Sequence, residues 1–239
     1  MEGISKRYPG VLALDNAHFE LKSGEVHALV GENGAGKSTL VKILCGIATK
    51  DSGKILLDGK EIHLHGPRSA QDLGISIIHQ ELNLMPDLTI AQNIYIGREP
   101  RKFKFILNDG GLVKETEKLF AQIHLDLDPN RKVEGLSVAQ QQMVEIVKAL
   151  SFNSKVLIMD EPTAALGVRE TAKVEDLIKR MKAQGLAILL ISHNFDQVLR
   201  LSDQIWVMRQ GDVMAGLRSK DTSGDELVAL ITGAKSGKG

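Results

Sequence analysis

A strand pattern that runs directly into a glycine-rich loop, and from there into a helix, constrains this chain more than any other feature. The loop at residues 31–38 reads GENGAGKS and matches the pattern G-x-x-x-x-G-K-[ST] at every fixed position. Residues 25–30, just before it, favour a strand. After it, apolar side chains recur at helical spacing at Leu40, Ile43, Leu44 and Ile47. This order predicts an α/β fold built around a strand–loop–helix unit.

A loop of this composition is typical of phosphate binding. Its glycines let backbone N–H groups turn inward, and the helix that begins there adds the positive end of its dipole. Lys37 would place a charge beside the β and γ phosphates, and the Ser38 hydroxyl would be a magnesium ligand. The alternative is a chance match in a glycine-rich loop, and the flanking strand and helix argue against it. The predicted Mg²⁺-ATP-binding residues of the loop are Gly31, Asn33, Gly34, Gly36, Lys37, Ser38 and Thr39.

Two adjacent carboxylates follow another apolar strand pattern. Residues 156–159 read VLIM, and Asp160 and Glu161 come next. In a parallel sheet, ligands collect at the carboxyl ends of the strands. Asp160 is therefore predicted to hold the magnesium ion, and Glu161 to act as the general base or water-orienting group for attack on the γ phosphate. A solvated strand end is the alternative for this pair taken alone, and its combination with the phosphate loop favours the functional interpretation.

The segment LSVAQ at residues 136–140 precedes a helical pattern and allows two interpretations. Ser137 and Gln140 form the S-x-x-Q pattern of a helix-capping box. A capped, exposed helix start is also an anion site, so the same residues could bind phosphate. The spacing does not choose between the two.

Three other side chains are candidates of the same ambiguous kind. His193 ends the strand pattern at residues 186–192, and Gln80 ends the strand-like residues 75–79. Each is either an ordinary loop residue or a polar sensor of the γ phosphate. Tyr8 is expected in a short loop before the first strands, where its ring would stack on adenine or pack on the core.

Composition excludes several classes of protein. The chain of 239 residues has 30 basic and 30 acidic residues, so no excess of positive charge favours nucleic acid as a partner. Cys45 is the single cysteine; it cannot form an intrachain disulfide and is expected to be a buried small hydrophobe. No apolar stretch approaches the length of about 20 residues that spans a bilayer, and no signal-peptide core is present. We therefore expect the chain in the cytoplasm.

Strand and helix patterns alternate along the chain, which predicts an α/β fold with a mostly parallel sheet. The apolar residues 155–159 and 186–192 supply core strands, and residues 89–150 are predicted to be a mostly helical insertion. Other strand patterns cover residues 17–21, 54–57, 61–65, 205–208 and 213–217. Asp58-Gly59 is a hairpin signal in the N-terminal antiparallel part, and Ser223 and Glu226 form a capping box for a last helix through Ile231. We expect one domain at residues 1–233 and a disordered tail at 234–239.

Taken in this order, the motifs resemble those of an ABC-type ATPase subunit over nearly the whole chain. The resemblance rests on the phosphate loop, Gln80, residues 136–140, Asp160-Glu161-Pro162 and Ser192-His193. Within the family, GISIIHQELNLMPDLTIAQNIYIGRE and LSVAQQQMVEIVKALS are similar to segments of the monosaccharide-importer ATPases of the ribose, galactose, arabinose and xylose type.

The resemblance implies an ATPase that works in pairs. Two cassettes would hold two ATP molecules between them, with Ser137 and Gln140 contacting the nucleotide held by the other cassette. Catalytic roles are implied for Glu161, His193, Gln80 and Lys37, and magnesium-binding roles for Ser38, Gln80 and Asp160. Separate membrane permease subunits and an external sugar-binding protein would be the partners. The chain would then lie peripherally on the inner face of the membrane.

Three departures from the family pattern are present. Val138 and Ala139 replace two glycines of the signature, and Gly167 stands where Asp or Thr is common. Most of the usual first edge strand is expected to be absent or trimmed. The sequence leaves open which sugar is carried, and whether the chain is a complete subunit or the first half of a tandem protein.

Three other functions stay open. A soluble ABC ATPase in translation or repair usually carries two cassettes or long charged linkers, and none is visible here. A small-molecule kinase would share the phosphate loop but has no use for the other motifs. A nonenzymatic nucleotide-binding scaffold could follow from a degenerate signature.

The segment after Gln80 is expected to be where the membrane partner docks. Its residues Glu81, Leu82, Leu84, Met85 and Leu88 place several apolar side chains beside a turn that contains Pro86 and Asp87. By resemblance, a short cytoplasmic helix of the permease would sit there. The alternative is that these side chains pack the helical insertion onto the core.

Overall fold

The computed structural model describes residues 1–102, 106–107 and 109–235. The strands, in chain order, are β1 (Glu2–Tyr8), β2 (Val11–Ala17), β3 (Val26–Gly31), β4 (Ser52–Leu57), β5 (Lys60–Ile62), β6 (Ile75–Ile78), β7 (Arg101–Lys102), β8 (Ile106–Leu107), β9 (Val156–Asp160), β10 (Ala187–Ile191), β11 (Gln204–Arg209) and β12 (Asp212–Arg218). The helices are α1 (Lys37–Leu44), α2 (Pro67–Asp72), α3 (Ile90–Tyr95), α4 (Asp109–Ile123), α5 (Val138–Leu150), α6 (Val168–Ala183), α7 (Phe195–Leu201) and α8 (Gly224–Thr232).

The larger sheet is mostly parallel and is the core of the molecule. Its strand order is β12-β11-β3-β10-β9-β6, and only the β11–β12 pair of these neighbours is antiparallel. Every residue of β3 and of β10 is buried, as are the first four of β9. Strands that are apolar throughout need cover on both faces, which the helices provide. The predicted α/β fold with a mostly parallel sheet is confirmed.

The antiparallel part lies at the N-terminal end of the chain, as expected, and differs from the prediction in detail. Its strand order is β2-β1-β4-β5. The sequence analysis did not predict β1, which pairs with both β2 and β4. Its sequence, EGISKRY, hid this strand because Ile4 is its only fully buried residue. The strand predicted at residues 17–21 lies instead at Val11–Ala17, and β5 ends at Ile62, short of the predicted residue 65.

The segment at residues 89–150 is mostly helical, as predicted. Thr89 caps α3 by accepting a hydrogen bond from the Gln92 N–H, while the Gln92 side chain accepts from the Thr89 N–H. Buried side chains of α3, α4 and α5 share one apolar cluster with β9 and β10: they include Ile94, Phe120 and Ile146 beside Leu157 and Ile188. The insertion therefore packs directly on the sheet that carries the predicted site residues.

The C-terminal elements also match their sequence signals. β11 and β12 form the predicted hairpin, and the Ser223 hydroxyl accepts a hydrogen bond from the Glu226 N–H at the start of α8. Of the tail predicted to be disordered, residues 236–239 lie outside the described residues. In the part of the chain that the structure describes, no helix combines the length and the apolar character needed to cross a bilayer.

Cys45 is buried, as its apolar neighbours predicted, although α1 ends one residue before it. The thiol is 4% exposed, and burial raises its pKa to about 12. Ile47, in contrast, was wrongly assigned to the apolar face of this helix. It lies beyond the end of α1 and is 50% exposed.

We expect the Cys45 thiol to resist alkylation in the folded protein. Thiolate is the reactive form, and a pKa near 12 leaves very little of it at pH 8. Labelling with iodoacetamide at pH 8, followed by mass spectrometry, should be slower by at least about 100-fold in buffer than in guanidinium chloride. Equal rates in the two solutions would contradict the burial of this side chain.

Candidate nucleotide site

A cleft of about 730 Å³ opens at the carboxyl ends of β3, β9 and β10. Its position follows from the register of the sheet, because Ile191 lies opposite both Asp160 and Leu29. The residues that line the cleft are Tyr8, Val11, Ala13, Asn33, Gly34, Gly36, Lys37, Ser38, Thr39, Gln80, Asp160, Glu161, Ala164, Ile191 and His193. The structure thus brings the predicted side chains of five separate segments into one cavity.

The loop between β3 and α1 leads into a helix start that no side chain caps. Gly36 precedes α1 with φ +106°. A Cβ atom on Gly36 would lie 2.7 Å from the carbonyl oxygen of Ala13. Glycine is required here by both the backbone angle and the close approach of the neighbouring strand. The N–H groups of the first turn of α1 stay available to a ligand such as a phosphate.

The Lys37 side chain folds back over the loop. Its Nζ donates hydrogen bonds to the carbonyl oxygens of Gly31 (2.7 Å) and Glu32 (2.9 Å). Gly31 does not line the cleft itself but supplies this acceptor at the end of β3. Loss of hydration lowers the pKa of Lys37, and the carboxylates of Glu161 and Asp160 oppose that shift. A partly desolvated ammonium group held in this way favours an incoming anion.

The backbone and the carboxylate of Glu161 are both held by the turn that follows β10. Glu161 has φ +50°, in the left-handed region, and its N–H donates to the Ile191 carbonyl oxygen at 3.0 Å. Its Oε1 accepts from the His193 N–H at 2.9 Å and lies 3.7 Å from His193 Nε2. Burial and the nearby Asp160 raise the pKa of Glu161, while His193 and Lys37 oppose the increase. A carboxyl group with a raised pKa at a strand end is well suited to accept a proton from water.

The oxygen ligands in the cleft fit a magnesium ion that also binds phosphate. Asp160 is the last residue of β9, Ser38 lies in the first turn of α1, and both line the cleft with Gln80. Among the described residues no group of three or more His, Cys, Asp or Glu side chains could hold a metal by itself. Mg²⁺ is usually bound through one or two carboxylates together with water and substrate phosphates, so this sparse set suits it.

Tyr8 is the last residue of β1 and not part of a preceding loop, as the sequence had suggested. It pairs with Val11 of the neighbouring strand β2, and Tyr8 is 38% exposed rather than packed in the core. Lys6 Nζ lies 5.5 Å from the ring centroid and is held there by Asp51 at 2.8 Å. An accessible ring at the mouth of the cleft supports the adenine interpretation over the packing one.

Sequence reasoning missed four apolar residues of the cleft wall. They are Val11, Ala13, Ala164 and Ile191. Val11, directly after a Pro-Gly turn, is 58% exposed and lies in β2, which pairs with β1. All four follow only from the three-dimensional arrangement of the chain.

Ser137 and Gln140 do not line this cleft. They form the predicted capping box: the Ser137 N–H donates to Gln140 Oε1 at 3.0 Å, and the Gln140 N–H donates to Ser137 Oγ at 3.3 Å. Beside them, Val138 is 46% exposed. The helix start is therefore partly exposed, and Val138 lines a second pocket with Gln80 and Glu161 rather than the cleft itself.

The segment after Gln80 divides into packed and exposed side chains. Leu84 packs against the large apolar cluster, whereas Met85 is 52% exposed. The buried Asn93 side chain fixes the Met85 backbone, since Asn93 Oδ1 accepts from the Met85 N–H at 2.7 Å and Nδ2 donates to its carbonyl oxygen at 3.0 Å. Met85 is thus an exposed apolar side chain on a firmly held backbone.

The two loop glycines should respond differently to alanine. Gly36→Ala combines a left-handed φ with a backbone contact and should lower the free energy of unfolding by roughly 3 kcal/mol, while also reducing nucleotide affinity. Gly34→Ala, with φ +84° and no atom near its added Cβ, should cost only ~1 kcal/mol. Urea denaturation of the two variants makes the comparison, and equal losses would show that the contact with Ala13 is unimportant.

Comparison with known proteins agrees with this geometry. The family model described as "ABC transporter" matches residues 14–164. The chain is 53% identical over 98% of its length to a putative ribose/galactose/methyl galactoside import ATP-binding protein of Burkholderia lata, and covers 46% of that protein. It is 46% identical to the ribose import ATP-binding protein RbsA 1 of Rubrobacter xylanophilus, over 98% of this chain and 46% of that protein.

Solved structures give the same result. A nucleotide-free ATP-binding cassette from an ABC transporter superimposes with a TM-score of 0.82 at 28% identity, over 97% of this chain and 93% of the other. An ATP-binding cassette of an ABC transporter in its ADP conformation gives the same values. The chain spans about half the length of the curated relatives that it matches. Its sequence and its fold show that the chain belongs to the ABC transporter family, as an ATP-binding cassette.

Proposed function

We propose that this chain binds Mg²⁺-ATP in the cleft and hydrolyses it to power import of a monosaccharide through a separate membrane permease. The observation that carries the proposal is the convergence of Lys37, Ser38, Asp160, Glu161 and His193 in one cavity beside the open start of α1. The names of the relatives, which are import ATP-binding proteins, favour a transporter over a soluble ATPase.

Each group in the cleft has a chemical task under this proposal. The loop N–H groups and Lys37 bind the phosphates, and Asn33, Gly34 and Thr39 complete the loop's wall of the site. Ser38, Asp160 and Gln80 hold the Mg²⁺ ion, which supplies positive charge next to the transferred phosphoryl group.

Under this proposal, hydrolysis depends on Glu161 and on the His193 backbone N–H that holds its carboxylate. Glu161 Oε1, fixed by the His193 N–H, orients a water molecule and takes its proton. Gln80 and the His193 side chain, which also line the cavity, read the presence of the γ phosphate. The ring of Tyr8 stacks on the adenine base.

The proposed assembly follows from what lies outside the cleft. Ser137 and Gln140, which do not line this chain's own cleft, contact the nucleotide of a second cassette. That cassette comes from a second copy or from the other half of a tandem protein. The pair sits on the inner face of the membrane, bound to permease subunits that receive the sugar from an external binding protein. The described part of the chain acts as one nucleotide-binding domain, proposed at residues 1–233.

Glu161→Gln should preserve ATP binding while lowering turnover by ~100-fold or more, since a general base contributes on the order of 10²–10⁴-fold. Phosphate release measures turnover, and a fluorescent ATP analogue measures affinity. Because the pKa of Glu161 is raised, its ionised form is disfavoured by folding, and this penalty grows as pH rises through the ordinary range of a Glu carboxyl. The variant should therefore melt at an equal or higher temperature than wild type at pH 7.

Lys37→Ala is the matched comparison for that experiment. It deletes the phosphate-facing charge, so the nucleotide affinity itself should fall. Near-normal hydrolysis by Glu161→Gln would show that Glu161 is not the general base. Unchanged nucleotide affinity in Lys37→Ala would show that Lys37 does not bind the phosphates.

Met85→Glu should uncouple the cassette from its permease. Met85 is exposed while its backbone is fixed by Asn93, so the substitution should leave the melting temperature and the basal ATPase rate nearly unchanged. Stimulation of hydrolysis by reconstituted permease, and sugar uptake, should both be lost. Full coupling in the variant would place the docking surface elsewhere.

Leu84→Glu is the control. The sequence analysis placed Leu84 among the docking side chains, but Leu84 is partly buried and packs against the core cluster. A charge there should cost roughly 1–3 kcal/mol and lower the melting temperature. The two neighbouring variants therefore separate docking from packing.

A further inference from the structure

A fully buried amide lies directly behind the cleft and belongs to none of the sequence motifs. Gln197 is the third residue of α7, and its exposed fraction is 0%. It does not line the cleft. A buried primary amide is costly unless its donors and its acceptor are all paired, so its partners indicate its role.

The Gln197 side chain joins three different segments. Its Nε2 donates to Thr163 Oγ1 at 2.9 Å and to Glu175 Oε1 at 3.2 Å. Its Oε1 accepts from Ser192 Oγ at 3.2 Å. Thr163 follows β9, Ser192 follows β10, and Glu175 lies in α6. Both N–H donors and the acceptor of this amide are used.

Glu175 fixes which way the amide points. Burial alone would raise the pKa of Glu175, but hydrogen bonds from Arg200 and Gln197 outweigh it and lower the pKa. Arg200 Nε donates to Glu175 Oε2 at 3.0 Å. An ionised carboxylate only accepts hydrogen bonds, so the Gln197 nitrogen must face it and the oxygen must face Ser192. The ion pair thereby removes the flipped orientation of the amide.

The two segments tied by Gln197 are the two that hold Glu161. Thr163 belongs to the turn directly after Glu161, where the Ala164 N–H donates to the Glu161 carbonyl oxygen at 3.2 Å. Ser192 directly precedes His193, whose N–H donates to Glu161 Oε1 at 2.9 Å. Gln197 therefore connects the backbone that carries Glu161 to the backbone that orients its carboxylate.

We propose that Gln197 is a positioning residue that sets the placement of the Glu161 carboxylate for hydrolysis, through Thr163 on one side and Ser192 on the other. The inference rests on the proposed ATPase function. A left-handed residue such as Glu161 keeps its conformation only where its surroundings impose it, and Gln197 supplies part of that restraint. A misplacement of about 1 Å at a reacting group can cost about 100-fold in rate.

Gln197→Met keeps the length and shape of the side chain while deleting its hydrogen bonds, and Thr163→Val deletes one partner. In the full chain, we expect Gln197→Met to lower kcat for ATP at least 10-fold with KM changed by less than about twofold, because the phosphate loop is untouched. Thr163→Val should show the same split in milder form. In the double variant kcat should be no lower than in Gln197→Met alone, as two deletions of one interaction do not add.

Ser219→Ala is the matched control. The buried Ser219 hydroxyl donates to the Leu199 carbonyl oxygen at 2.8 Å, so it anchors α7 to the segment at Ser219 rather than to the turns that hold Glu161. This variant should lose stability and keep its kcat. The positioning role is wrong if Gln197→Met lowers stability but has the same kcat as Ser219→Ala. It is also wrong if the effects of Gln197→Met and Thr163→Val on kcat multiply in the double variant. Should Gln197→Met fail to fold, an unchanged kcat in Thr163→Val overturns the proposal.

A second measurement separates this inference from the proposed function. Hydrogen exchange reports the turn after Glu161 directly, through the Ala164 N–H and through the Leu166 N–H, which donates to the Thr163 carbonyl oxygen at 3.1 Å. Exchange at both should be at least 10-fold faster in Gln197→Met than in Ser219→Ala. If wild type fails to hydrolyse ATP, the proposed function fails, and exchange still decides: equal rates in the two variants overturn the positioning role.

Discussion

The parallel register of β3, β10 and β9 decides where Lys37, Glu161 and His193 stand in the cleft. Ile191 pairs with Leu29 on one side and with Asp160 on the other, so the three strands end at the same level. The chain then leaves each strand into a segment that lines the cleft. A slip of β9 by one residue relative to its neighbours would turn the Asp160 side chain to the opposite face of the sheet. Burial of β3 and β10 on both faces fixes the register and, with it, the site.

Within that frame, the cleft holds its groups through hydrogen bonds between neighbouring turns. Lys37 is tied to the end of β3, and Glu161 to the turn after β10. Each of these charged groups is partly desolvated, which lowers the pKa of the lysine and raises that of the glutamate. In both groups the loss of hydration disfavours the charged form. A phosphate beside Lys37 would favour the ammonium form, and a water molecule beside Glu161 would favour the carboxylate.

The sequence predicted those parts of the site whose geometry is determined by a short local pattern of residues. The phosphate loop, Asp160-Glu161 and the cap at Ser137 are short patterns whose spacing carries their geometry, and all could be located before the structure was known. β1 escaped because its one fully buried side chain, Ile4, leaves no alternation to detect. Val11 and Ala13 reach the cleft through strand pairing with β1, which no local pattern encodes. Gln197 was invisible for a similar reason, since its partners are 5, 22 and 34 positions away along the chain.

The charge of the cleft wall bears on the form in which ATP would bind. Among the described residues that line it, Lys37 is the only lysine or arginine, and Asp160 and Glu161 are both carboxylates. A triphosphate brought into contact with this wall would meet two acidic groups for one basic group. Backbone N–H groups at the start of α1 offset part of that repulsion, but they act on the phosphates nearest the helix. Under the proposed function, a divalent cation held by Ser38 and Asp160 would convert one of the repelling carboxylates into a ligand. The same wall that disfavours free ATP would then favour its magnesium complex.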